Sequence, residues 1–317
     1  MAGFLLRRVA GAVAMLFVVG TIVFSLLAIV PGDPAELLLS TGGGVATPEA
    51  IANLRTQMGL DQPLIAQYLG FLWDSLRFDF GSSIIDGSSI AANIALRLPR
   101  TLEIIGAGTV LALLVAIPAG TAAGLRAGGW FDVAASGLNA LLTSVPGFVV
   151  GTLFIYFFAQ TLGWLPAGGY VAFAQNPAQH LQMLILPAVT VGLHLATIIF
   201  RMTRASVLEM RGHDWVRTAI AKGLTRRLVI RRHVLKNALG PVITVVGMQL
   251  GILLGSTVLV EFVYNWPGLS GLLVGAVEQR DYPTVRAVIL TVAAIFIAIN
   301  LVIDILYSLI DPRIRLQ

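Results

Sequence analysis

Residues Val9 to Val30 read VAGAVAMLFVVGTIVFSLLAIV, a run of 22 without a charge, preceded by Arg7-Arg8 and followed by Pro31-Gly32-Asp33-Pro34. At 1.5 Å per residue this run makes a helix about 33 Å long, enough to cross a hydrocarbon core of about 30 Å. The arginine pair looks like the start of a cleavable leader, but a leader's apolar region has only about 7–15 residues, and Val30-Pro31-Gly32-Asp33-Pro34 offers no small-x-small cleavage signal. The sequence predicts a retained membrane helix.

Outward from this run the same pattern recurs at Ile104 to Gly124, Val133 to Leu162, Met183 to Phe200, Ala238 to Val260 and Ala287 to Ile303. Of the 317 residues 57% are hydrophobic and 12% charged, against roughly 25% charged in a soluble globular protein. The charges gather between the apolar runs, as a bilayer demands. The expectation is an all-α integral membrane protein with six transmembrane helices. The third run is too long for one straight crossing. Its Ser144-Val145-Pro146-Gly147 segment is placed to break it, which a membrane tolerates only where neighbouring helices or water satisfy the freed backbone groups.

Under this arrangement fifteen Lys and Arg fall on one face, namely Arg7, Arg8, Arg126, Arg313, Arg315 and ten from Arg201 to Lys236; the other face receives Arg55, Arg77, Arg97, Arg100, Arg280 and Arg286. The excess of basic residues marks the cytoplasmic side, so both termini are expected there. The chain then divides into 1–30 (the amino-terminal segment and first span), 31–100 (an external helical cap region) and 101–317 (a core of five spans with a cytoplasmic loop at 201–236). Within the cap region Thr47 reads as an N-cap with Pro48 at the first helical position, and Ile51, Leu54 and Met58 follow at helical spacing. Gly59 or Asp61-Gln62-Pro63 should stop that helix, and Leu64 to Leu76 forms a second, with Leu64, Tyr68, Phe71, Leu72 and Ser75 on one face.

Several chemistries are excluded. There is no cysteine, hence no disulfide, thiolate ligand or thiol nucleophile. Gly42-Gly43-Gly44 continues to Val45 without the lysine of a phosphate-binding loop. His180, His194, His213 and His233 lack metal-site spacing. His194 falls inside a span, where an ionisable group is a functional candidate, although a neutral imidazole facing a helix neighbour explains it equally well. Glu103, Glu261 and Asp304 fall near helix ends, where hydration is expected, so the spans carry no proton relay, and neither an acidic ring nor a carbonyl filter is visible. The net charge of +5 follows from the cytoplasmic bias and implies no nucleic-acid partner.

The segment Arg201 to Lys236 holds ten basic residues in 36. Glu209 to Ala221 reads as a helix closed by Lys222-Gly223, the lysine complementing the helix dipole and the glycine permitting a left-handed cap. The order Asp214-Trp215-Val216-Arg217-Thr218-Ala219-Ile220-Ala221-Lys222-Gly223-Leu224 joins a series running nearly end to end. That series includes Leu6-Arg7-Arg8, Leu27 to Ala35, Gly59-Leu60-Asp61-Gln62-Pro63, Gln67-Tyr68, Arg97-Leu98-Pro99-Arg100-Thr101-Leu102-Glu103, Gly163-Trp164-Leu165-Pro166 and Thr203-Arg204-Ala205-Ser206. It continues with Arg232 to Ala238, Trp266-Pro267-Gly268-Leu269, Arg280-Asp281-Tyr282-Pro283 and Asp311-Pro312-Arg313.

In this order and spacing the chain resembles the transmembrane permease subunits of ABC importers, of the binding-protein-dependent dipeptide, oligopeptide and nickel family. The resemblance implies a type I ABC importer permease fold in a bacterial cytoplasmic (inner) membrane. It further implies a non-catalytic subunit that binds no cofactor, ATP-Mg residing on partner subunits. The implied partners are a second homologous permease, two ABC ATPase subunits, an external solute-binding protein and the lipid bilayer. The implied cargo is di- or oligopeptide, with nickel, glutathione or an opine as alternatives; a stand-alone channel or secondary carrier is the reading from another class. The family's cytoplasmic coupling helix maps onto Asp214, Trp215, Arg217, Thr218, Ala219, Ala221, Lys222 and Gly223. Where the general importer pattern begins Glu-Ala-Ala and closes with Leu-Pro, this chain has Arg217-Thr218-Ala219 and Leu235-Lys236, which fits the peptide subfamily. Small Thr218 and Ala219 on an exposed face would allow close approach of a partner, with Arg217, Lys222 and Arg226 at the rim.

Overall fold

Each apolar run becomes helix, and most helices extend well past the uncharged run that signalled them. The computed structural model describes residues 2–29, 35–36, 39, 47–57 and 59–310, with side chains omitted at 2–6, 57 and 304–310. The Pro-Gly-Asp-Pro motif at 31–34, Met58, the Asp304 side chain and Asp311-Pro312-Arg313 lie outside the described part. In chain order the helices are α1 (Ala2–Ile29), α2 (Pro48–Gln57), α3 (Leu64–Leu76), α4 (Ile90–Leu125), α5 (Trp130–Ser144), α6 (Gly147–Phe154), α7 (Pro177–Gly212), α8 (Asp214–Ala221), α9 (Arg226–Val229), α10 (Leu235–Val263), α11 (Leu269–Glu278) and α12 (Tyr282–Ile310). A π-helical turn, Ile155–Thr161, continues α6, and a second, Ile230–Val234, joins α9 to α10. Helices α4 and α7 each have 36 residues, about 54 Å, so both project beyond the lipid and carry Arg97, Arg100 and Arg211 out of the hydrocarbon.

Among the described residues five helices are long and apolar enough to cross a membrane, and the count reaches six when α5 and α6 with its π turn are taken as one broken span bent by 100°. The break falls where the sequence predicts it. Val145 precedes proline, which disfavours helical geometry; it sits extended at φ −101°, ψ 126°. Pro146 then starts α6 at φ −57°, ψ 139°.

The chain forms two contact units. One comprises Met1–Leu98 with Gly271–Ala298. Its α2 starts as expected, the Ala50 amide donating to Thr47 Oγ1 at 3.3 Å, and the chain turns at Gly59, φ +66°. Helix α3 lies along α1: the Thr21 and Tyr68 hydroxyls are 2.6 Å apart, and Phe24 meets Tyr68 edge-on at 5.3 Å and Phe71 at 5.7 Å. The expected stripe holds from Tyr68 to Ser75 but not at Leu64, which is exposed at the first residue of α3. Ile65, Leu69, Trp73 and Leu76 are exposed on α3, so this helix shows apolar side chains away from α1 as well as toward it, a pattern suited to lipid.

The other unit comprises Pro99–Ser270 with Ile299–Gln317. Its central feature is the crossing of α4 and α7 through small residues. A Cβ at Gly192 would lie 2.6 Å from the Gly108 carbonyl oxygen, and one at Gly120 2.8 Å from that of Phe200. Backbones this close leave dispersion contacts as the adhesive between helices that lipid does not press together. Asn176 caps α7 by accepting from the Gln179 amide at 3.1 Å, with Pro177 at the first helical position. Glu261 overturns the expectation of a hydrated carboxylate: it is 1% exposed, accepting from Thr101 Oγ1 at 2.5 Å and the Ser270 amide at 2.9 Å. These donors meet the hydrogen-bonding demand of a carboxyl group shut away from water.

Candidate functional site

The basic segment after Arg201 builds a small platform. Helix α7 runs to Gly212, and His213 (φ −69°, ψ 146°) interrupts it. The predicted helix Glu209 to Ala221 is therefore two pieces: Glu209–Gly212 belongs to α7 and only Asp214–Ala221 forms α8. One buried side chain, Val216, seats α8 in a cluster with Val207, Val229, Val234 and Ala238, against which Leu125, Met210 and Ala219 pack. The C-terminus closes as a Schellman motif: the Gly223 amide donates to Ile220 O at 2.9 Å and the Leu224 amide to Ala219 O at 3.3 Å, with Gly223 at φ +86°. A β-branched residue there is strained by about 1–2 kcal/mol.

The eight predicted residues do not all share one surface. Asp214 and Arg217 are exposed and 3.7 Å apart. Thr218 is exposed and donates its hydroxyl to Asp214 O at 3.0 Å. Ala221, Lys222 and Gly223 are exposed. Ala219 faces inward against the valine cluster, correcting its placement on the outer face; Ile220, 51% exposed, stands outward instead. Trp215 is partly exposed, stacked on His213 at 5.9 Å and tilted against His233 at 6.3 Å. The outer surface of this platform thus carries Trp215, Ile220, Leu224 and Leu228 amid Arg217, Lys222, Arg226 and Arg227. Apolar and aromatic groups ringed by cations are the composition of a protein interface.

Two ties hold the platform's base, and neither is visible in the spacing. Arg211 Nη1 donates to Leu125 O at 2.6 Å, occupying an orphan carbonyl at the end of α4. Arg204 grips Asp132 of α5 through Nε at 2.5 Å and Nη2 at 2.8 Å, and the Gly128 amide donates to the same carboxylate at 2.9 Å. Beyond this pair Ser136, Asn139 and Thr143 follow on one face of α5, lining a cavity of about 550 Å³ with Ser144, Arg201 and Arg204. The i, i+3, i+7 spacing was the signal for this polar face, hidden inside a run read only for its lack of charge.

Of the histidines, His180 is the one buried, its Nε2 2.5 Å from Glu103 Oε1 and its Nδ1 2.6 Å from Val171 O. His194 is exposed. Among the described residues no three His, Cys, Asp or Glu side chains gather to hold a metal.

Comparison with known proteins agrees with this architecture. Residues 116–316 match the family described as binding-protein-dependent transport system inner membrane component, and residues 1–105 match the amino-terminal family of the same transport-system membrane components. A peptide ABC transporter permease protein of Sinorhizobium fredii, y4tP, is 38% identical over 312 residues, covering 98% of this chain and 99% of that one. The glutathione transport system permease protein GsiC of Escherichia coli is 39% identical over 315 residues, covering 99% of each. A chain of the MetNI methionine ABC transporter, solved in inward-facing conformations, superposes with a TM-score of 0.55 at 19% identity, covering 69% of this chain and 96% of that one; this likeness concerns the fold. The chain is therefore a member of the binding-protein-dependent transport system inner membrane component family, a multi-pass, non-catalytic permease subunit of an ABC transporter.

Proposed function

We propose that this permease serves a bacterial importer of di- or oligopeptides in the cytoplasmic membrane. It pairs with a second permease to enclose the pathway, receives solute from an external binding protein, and meets one of two ATPase subunits through α8. The observation that carries the coupling role is a short helix held by one buried valine, closed by Gly223, and presenting Trp215, Ile220 and Leu224 to water among cations. A helix seated this way transmits a push without unfolding its base, and ATP-dependent closure of the ATPase pair supplies the differential affinity that switches access. The peptide cargo is supported by the name of the Sinorhizobium relative, and the Escherichia relative supports glutathione as a second reading.

The test is Gly223→Val, measured for membrane abundance, ATPase co-purification and peptide uptake in the same cells. The expected result is normal abundance with loss of ATPase retention and uptake; normal uptake at normal abundance removes the coupling role. Orientation is checked separately in this cysteine-free chain: Ser82→Cys should react with an impermeant maleimide from outside and Thr225→Cys only after lysis.

A further inference from the structure

Within the unit that contains α1, α3 and the start of α12 lies a cavity of about 860 Å³ whose wall carries a partly buried cation. Arg286 and Tyr282 of α12 line it together with Phe24, Leu27 and Ala28 of α1 and Phe71 of α3. The Arg286 guanidinium carbon sits 4.9 Å from the Phe24 ring centre and 5.8 Å from that of Phe71. Its Nε and the Tyr282 hydroxyl are both sealed from solvent without a hydrogen-bond partner.

The neighbouring carboxylates do not meet this need. Asp281 is occupied by the Ser83 and Thr284 hydroxyls, each at 2.6 Å. Asp74 and Asp79 also line the cavity but are exposed, and Asp79 accepts from the Gly81 amide at 3.2 Å. Arg55, the other cation of the lining, is exposed. Among the described residues Arg286 forms no ion pair. Two aromatic faces attract a guanidinium but accept none of its five N–H bonds in good geometry. A partly buried cation left in that state calls for an anion, and phosphate matches its forked donors best.

The surroundings identify the carrier of the phosphate. Arg286 lies four residues into α12, about 6 Å along the helix, and therefore near the membrane boundary. Apolar Ile65, Leu69, Trp73 and Leu76 of α3, and Ile22, Leu26 and Ile29 of α1, are exposed, as suits residues bathed in lipid. The lining itself supplies Phe24, Leu27 and Ala28 for an acyl chain. We infer that this cavity is a phospholipid site, with the lipid phosphate on Arg286 and Tyr282 and a hydrocarbon tail along α1. The inference is independent of the coupling role of α8 and of the cargo.

The test titrates the intact, purified transporter complex with dioleoyl phosphatidylglycerol and reads bound lipid by native mass spectrometry. Arg286→Gln should lower retention at least about tenfold, the loss expected of a charge-assisted contact. Arg286→Lys should keep most of it, and Leu27→Trp, which fills the apolar end, should lower it with the cation intact. Equal retention by wild type and Arg286→Gln overturns the proposal. So does displacement of the lipid by inorganic phosphate or by dialanine at matched concentration, which would assign the site to a soluble anion or a peptide terminus. If Arg286→Gln does not assemble, the lysine and tryptophan variants decide: full retention by Leu27→Trp, or none by Arg286→Lys, also overturns it.

Discussion

The crossing of α4 over α7 and the seat of α8 are two ways of packing small residues, with opposite mechanical results. At the crossing, Gly108, Gly120 and Gly192 bring main chain against main chain, and the three atoms nearest to a Cβ at Gly192 would all be backbone. At the seat, Ala219 and Val216 rest on a valine cluster while most of the helix surface remains in water. The first arrangement resists sliding because displacement meets backbone. The second holds a helix in place through a few methyl groups, so its orientation responds to a partner's load while its base stays folded.

Substitutions should separate the two. Gly192→Val should have the largest effect, because its side chain meets a backbone oxygen that cannot move aside; a cost above the usual overpacking range of about 1–3 kcal/mol, and above that of any other substitution here, is expected to abolish folded, membrane-integrated chain, as read by protease resistance and abundance. Asp132→Ala should follow. Loss of one member of a buried pair costs about 3–5 kcal/mol, and Arg204, with 32% of its side chain exposed, recovers part of that through water. Thermal melting of the purified complex should drop by several degrees with the chain still inserted. Val216→Ala removes part of the single anchor of α8, about 1–2 kcal/mol; uptake and ATPase retention should fall while global melting barely moves. A parallel loss of abundance would mean that α8 belongs to the rigid core. The smallest effect is expected of Arg217→Glu, whose exposed pair with Asp214 contributes little to folding. Melting should not change, and ATPase retention should weaken in a salt-dependent way.

The spans, the break before Pro146 and the left-handed Gly223 were legible because each rests on local chemistry: uncharged length, the steric demand of proline, and a missing Cβ. The start of α8 was not. Helical periodicity continues through His213, and the signals that the chain did contain, Gly212 at a helix end and Asp214 in a first turn, are weak against it. The Asp132–Arg204 pair joins residues 72 apart, and Glu261 finds Thr101 across 160; such partners exist only once helices have chosen neighbours. Reading Glu261 as hydrated followed from its position near a helix end, and the fold supplied donors instead of water. The inward turn of Ala219 was equally invisible, because it depends on where α8 begins.

The 100° bend between α5 and α6 also constrains how the protein is made. Neither arm is long enough to cross a bilayer alone, and Gly151 O of α6 accepts from the Tyr264 hydroxyl at 3.1 Å, 113 residues downstream. At about 5–20 residues per second, Tyr264 is synthesised roughly 6–23 s after Gly151. During that interval α6 has α7 to pack on, with Thr190 beside Gly151, but lacks the Tyr264 hydroxyl. The bond that braces the bend is therefore made late, once α7 and α10 have been synthesised, and a ribosome stalled between them would leave the Gly151 carbonyl without that donor.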